Sequence, residues 1–172
     1  MKVFRYFILL LIFSSSNFGE ALAQKGANDF EFSFKWGFSR RDQNIFDSKT
    51  DTLLVTGIDT IMKFKLHLTK EEKQSIHLEI QKMNFKNYPE KYEYQHPDSE
   101  EAFIAQPCSK YFLTVTNNKN SKLVEWNNCI HCKVKDEKHA ALMQLDRLIE
   151  KIIWSKNPLK DYHPNRVRID PN

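Results

Sequence analysis

Phe30, Phe32, Phe34, Trp36 and Phe38 alternate along the chain with Glu31, Ser33, Lys35 and Gly37. Successive side chains of an extended strand point to opposite faces, so a period of two predicts a strand with one aromatic face. Residues 52–56, TLLVT, are β-branched and apolar and predict a second strand, with a turn over 57–60. Met62, Phe64, Leu66 and Leu68 alternate with Lys63, Lys65 and His67, which predicts a third strand. Between the first two, residues 39–49 (SRRDQNIFDSK) read as a polar connection around Ile45 and Phe46.

The period then changes. Thr69 opens a helix, because its hydroxyl can accept from the amide of Glu72 while the Glu72 carboxylate reaches back. Ile76, Ile80 and Met83 recur at helical spacing, and Asn84 suits the left-handed conformation that ends a helix. Asp136 caps a final helix with Ala141, Leu145, Leu148, Ile149 and Ile152 on one face, and Pro158 lies beyond its end.

Between the helices, residues 110–116 and 122–126 predict a hairpin around 117–120. With the turn centred between Asn118 and Lys119, Tyr111 opposes Trp126, Leu113 opposes Val124 and Val115 opposes Lys122. Phe112, Thr114 and Thr116 meet Glu125, Leu123 and Ser121 on the other face. One face is mostly apolar and the other mostly polar, as a half-buried hairpin requires.

Runs of strands followed by helices predict an α+β fold. The expected architecture is a two-layer sandwich in the order βββα-ββα: an antiparallel sheet of about five strands with two helices on one face. The row from Phe30 to Phe38 is then the core face of the sheet rather than an aromatic platform for a ligand.

Composition narrows the function. The 172 residues carry 26 basic and 22 acidic side chains spread along the chain, and the net charge of +4 forms no concentrated basic face for nucleic acid. Glycine occurs four times, never in the close spacing that lets a backbone cradle phosphate. Residues 1–23 read as an export signal: Lys2 and Arg5, an apolar run over 7–13, and Ala21-Leu22-Ala23 before a cut at Ala23/Gln24. The run is too short to span a bilayer, and no cysteine at the cut invites a lipid anchor. Cleavage removes two bases and one acid, leaving +3 on a mature domain over 24–172, with its core over about 30–155 and a polar tail over 156–172. The expected location is periplasmic or secreted, with no membrane span in the mature chain.

Export makes disulfides available. Cys108 and Cys129 fall opposite each other in the hairpin register, and opposed Cα atoms of antiparallel strands lie within reach of a disulfide. A Cys108–Cys129 bridge leaves Cys132 over. Two other readings use the same residues. Cys129-Ile130-His131-Cys132 has the spacing of a redox pair, but no βαβ context surrounds it. Cys108, Cys129, His131 and Cys132 suffice in number for zinc but lack two-knuckle spacing. The expectation is therefore no metal and no cofactor.

Residues 85–107 form a long connection carrying Tyr88, Tyr92 and Tyr94, an acidic patch at 98–101 and three prolines. Ordered connections of this length are often functional, which makes the three tyrosines candidate ligand-binding residues. The competing reading is that they hold the loop down on its own domain. Histidines are scattered singly with no HExxH, and there is no GxSxG.

Phe32-Ser33-Phe34-Lys35-Trp36-Gly37, Leu68-Thr69-Lys70-Glu71-Glu72 leading to Asn84-Phe85, Pro107-Cys108-Ser109-Lys110-Tyr111 and Trp126-Asn127-Asn128-Cys129 together set a recognisable order. In that order the chain resembles a family of small exported bacterial domains of unknown function, over about residues 30–155. The resemblance implies a bacterial envelope or secreted location and a sheet covered by helices, and it carries over no functional residues. The expected function is a non-catalytic module that binds a protein, peptide or glycan. The alternative is a thiol-active or hydrolytic envelope enzyme with a dispersed site.

Overall fold

Phe64, Leu53, Phe46, Phe34, Leu113 and Val124 stand side by side in one row, a single residue from each of six strands. All but Phe64 are fully buried, and Phe64 packs against the same core. The structure is a computed structural model that describes residues 30–39, 42–56, 60–93, 103–104, 108–118, 120–128, 130–131 and 136–159. The export segment, Tyr94, Cys129, Cys132 and tail residues 160–172 lie outside the described residues.

The six strands are β1 (Phe30–Ser39), β2 (Asp42–Asp47), β3 (Thr52–Thr56), β4 (Ile61–Lys65), β6 (Lys110–Asn117) and β7 (Asn120–Asn127), in the order β4-β3-β2-β1-β6-β7. Every neighbouring pair is antiparallel. Two short strands, β5 (Phe103–Ile104) and β8 (Ile130–His131), pair separately. The fold is α+β, as expected, but the sheet has six strands rather than about five. The additional one is β2, which lies inside the supposed polar connection. Phe46 pairs with Phe34 on one side and Leu53 on the other, so a single aromatic residue gives an otherwise polar strand its buried face.

The alternation of β1 holds from Phe30 to Trp36 and fails at Phe38, which is 53% exposed. The register against β2 shifts between Gly37 and Ser39, and Gly37 takes a φ of 154° that a residue without Cβ tolerates. The third predicted strand ends at Lys65, yet Leu66 and Leu68 remain buried in the lead to the first helix.

That helix, α1 (Lys70–Lys82), begins with both halves of the capping box. The Glu72 amide donates to Thr69 Oγ1 at 3.2 Å, and the Thr69 amide donates to Glu72 Oε2 at 2.8 Å. It ends as expected, with Asn84 left-handed at φ 56° before a 3-10 turn over Phe85–Asn87. The second helix, α2 (Glu137–Trp154), starts at Asp136, whose carboxylate accepts from the Lys138 and His139 amides. Each helix has an aromatic contact with β1. His77 meets Phe30 edge-on at 4.7 Å between ring centres, and Trp154 meets Trp36 at 6.2 Å. Among the described residues no helix is long and apolar enough to cross a membrane.

Candidate functional site

A cleft of about 570 Å³ opens where the end of α1 meets the start of β1 and the β6–β7 turn. Phe30, Ile80, Phe85 and Val115 form its apolar part, and Gln81, Asn84, Asn117, Asn118 and Asn120 are five carboxamide residues in its lining. Two of these asparagines sit at the turns that shape the walls. Asn84, at φ 56°, lets the chain leave α1, and Asn118, at φ 49°, closes the hairpin. A short polar side chain tolerates this left-handed region better than a branched or bulky one.

His77 lies in the cleft wall, only 3% exposed, and neither ring nitrogen has a hydrogen-bond partner among the described residues. Burial lowers its pKa, which favours the neutral ring. Lys86 and Lys122 also line the cleft, along with Gln81 and Ser121, and among the described residues no aspartate or glutamate does. The Ser121 hydroxyl hydrogen-bonds the Thr116 hydroxyl at 2.8 Å rather than a histidine, so the lining holds no activated serine. Amide groups and two ammonium groups beside an apolar wall are chemistry for holding a ligand.

The tyrosines of the long connection occupy a different place. Tyr88 is buried, and its hydroxyl donates to the Lys138 carbonyl at 3.0 Å. The Tyr92 hydroxyl bonds the Asp136 carboxylate, and its ring lies 5.6 Å from that of Tyr88. Desolvation opposes ionisation of Asp136, but bonds from Tyr92 and from the His139 and Lys138 amides outweigh it and hold its pKa below the ordinary value. The Tyr92 amide donates to the Glu125 carbonyl at 2.8 Å, and the Glu125 amide donates to the Glu90 carbonyl at 2.7 Å. These bonds tie residues 88–92 to the start of α2 and the edge of β7. Neither tyrosine lines the cleft, and Tyr94 lies outside the described residues.

The predicted hairpin register is the observed one from Lys110–Asn127 to Asn117–Asn120. It continues one residue further, where the Asn128 amide donates to the Ser109 carbonyl at 3.0 Å. The next positions in that register are 108 and 129. Cys108 is partly buried, while the arrangement of Cys129 and Cys132 lies outside the described residues. Among the described residues no group of three or more His, Cys, Asp or Glu side chains could hold a metal ion.

One cluster escapes sequence reasoning altogether. Asp146 is buried, and one turn along α2 comes Glu150. Desolvation first, then the nearby Glu150 charge, pushes the Asp146 carboxyl up to about 7. Burial also raises the pKa of Glu150, against a hydrogen bond from Trp154. Desolvation and these two carboxylates together push the Tyr111 phenol up to about 12. The Trp126 indole draws the Asp146 value down, yet Trp126 Nε1 and Asp146 Oδ2 do not meet in hydrogen-bonding geometry. The available signal was an acidic residue directly after Leu145 on the apolar stripe, a place that also suits a solvated edge. Neither carboxylate lines the cleft.

No family model matches the chain, and no curated protein matches its sequence.

Proposed function

We propose that this protein is an exported, non-catalytic binding domain whose ligand occupies the cleft between Asn84 and the Asn117–Asn120 turn. The observation that carries the reading is the lining itself. Five carboxamide residues, Gln81 among them, and two lysines line it beside the apolar Val115, and among the described residues of the lining no nucleophile is paired to a base. Small-molecule sites commonly occupy about 300–1,000 Å³ and combine apolar walls with a few convergent polar groups. The cleft therefore suits a saccharide or short peptide, or a side chain presented by a protein.

The buried Asp146 and the partly buried Glu150 do not favour a hydrolase. They face Trp126, Tyr111 and Trp154 rather than the cleft lining. The reading includes delivery to the periplasm or outside the cell, with cleavage near Ala23/Gln24. It also includes a Cys108–Cys129 bridge extending the hairpin and a two-layer body with both helices on the Phe30–Trp36 face. The register through Ser109 and Asn128 supports the bridge, and the His77–Phe30 and Trp154–Trp36 contacts support the layering.

The test is a titration of the mature protein with oligosaccharides and short peptides, followed by amide chemical shifts. Perturbations are expected at Asn84, Phe85 and the stretch from Asn117 to Lys122. Perturbations confined to residues 88–94, or none anywhere, would remove the cleft as the site.

A further inference from the structure

We propose that the ligand of this cleft is a small organic anion bearing a carboxylate, bound with its acid group at Lys86 and Lys122 and its body against the apolar wall at Val115. The inference rests on the cleft being the binding site and adds the charge of what it takes.

The asymmetry of the lining carries the argument. Two lysines line the cleft, and among the described residues no carboxylate does. Neither lysine forms an ion pair among the described residues, a state shared with Lys35, Lys63, Lys65, Lys70, Lys110, Lys138 and Lys151, so what sets the two apart is that both line one cleft. The two arrive from unrelated parts of the chain, Lys86 from the 3-10 turn after α1 and Lys122 from β7, so their presence in one cleft is a product of the fold. Two cations near one concavity, without a balancing acid, attract an anion and raise its local concentration.

The rest of the lining sets the size and body of that anion. The carboxamides of Asn84, Asn117, Asn118 and Asn120 each offer donors as well as an acceptor, suited to hydroxyl or amide groups on a ligand. Phe30 and Phe85 are buried beneath the lining, and the partly buried Val115 offers the apolar contact, which suits the apolar face of a sugar or an aliphatic side chain. About 570 Å³ accommodates a ligand of disaccharide or dipeptide size. A uronic-acid disaccharide and a dipeptide with a free C-terminus share the required chemistry.

The experiment is isothermal titration calorimetry on the mature protein with four probes. These are a digalacturonic acid, its methyl ester, an N-acetyl dipeptide acid and the corresponding dipeptide amide. At least one acid is expected to bind about tenfold more tightly than its neutral partner, which corresponds to about 1.4 kcal/mol. Lys86→Gln and Lys122→Gln are each expected to weaken the acid about threefold to tenfold, several times more than they weaken the neutral probe, and to melt at the native temperature. Which acid binds distinguishes a glycan from a peptide source. Equal binding of acid and neutral forms would overturn the anion inference while leaving the cleft as a site. Absence of binding by all four at millimolar concentration would overturn both.

Discussion

The Phe32 amide donates to the buried hydroxyl of Ser48 at 2.7 Å, while the Ser48 amide donates to the Phe32 carbonyl at 2.9 Å. Ser48 lies one residue past β2, where the chain turns away, so its side chain supplies the acceptor that a continuing strand would have provided. Lys73 Nζ reaches the Ser48 carbonyl at 3.4 Å from α1. Removing the hydroxyl strands a buried amide. Ser48→Ala is expected to cost about 1–3 kcal/mol in urea denaturation; an unchanged midpoint would show that the Phe32 amide finds another acceptor.

Asp146 should make stability depend on pH. Its carboxyl is raised from 3.8 to about 7, so the folded state holds the proton more tightly than the unfolded chain. The stability it contributes is whole below about pH 4 and is lost as pH rises through about 7, a change of about 4 kcal/mol at most. Glu150 shifts in the same direction. Asp146→Asn is expected to gain stability relative to the native chain as pH rises from 5 to 8. A difference between the two that stays flat across that range would contradict the placement of Asp146.

Glu72 has two partners, the Thr69 amide and Lys156 Nζ, which comes from beyond the end of α2. Losing Thr69 removes one cap bond. Losing Glu72 removes the reciprocal bond and leaves Lys156, only 14% exposed, without its acid. Thr69→Ala is expected to cost about 1 kcal/mol, and Glu72→Ala more. The comparison is read from thermal melts of both variants, and the reverse order would count against the Lys156 pairing.

Exported material should contain one thiol that reacts only after denaturation, and peptide mapping should link position 108 to position 129. Closing a loop of roughly 20 residues is expected to contribute about 3 kcal/mol, lost on reduction. Three reactive thiols in native exported protein, or a 129–132 link, would remove the proposed bridge.

Much of this fold was legible in short stretches of chain. The hairpin register could be read because pairing about a turn centred between 118 and 119 sorts apolar and polar residues onto opposite faces, and Tyr111 does oppose Trp126. The Thr69–Glu72 capping box and the left-handed Asn84 were readable because each depends on residues within one helical turn. β2 was not, since only Phe46 marks its buried face, and the partners Phe34 and Leu53 that make Phe46 a core residue belong to other strands.

The amino-acid order therefore determined most of the repeating elements and the helix caps, and the buried face of the hairpin and of Phe30–Trp36, because these depend on periodicity and on hydrogen bonds between near neighbours. Tertiary structure alone decided that Asp146 would be buried near Glu150 and that Tyr88 and Tyr92 would pack at the start of α2. It also decided that Lys86 and Lys122 would share a cleft with Phe30 and His77. Burial and charge proximity arise between segments far apart in the chain, and pairing β1 with β6 brings the beginning of the domain beside its late hairpin.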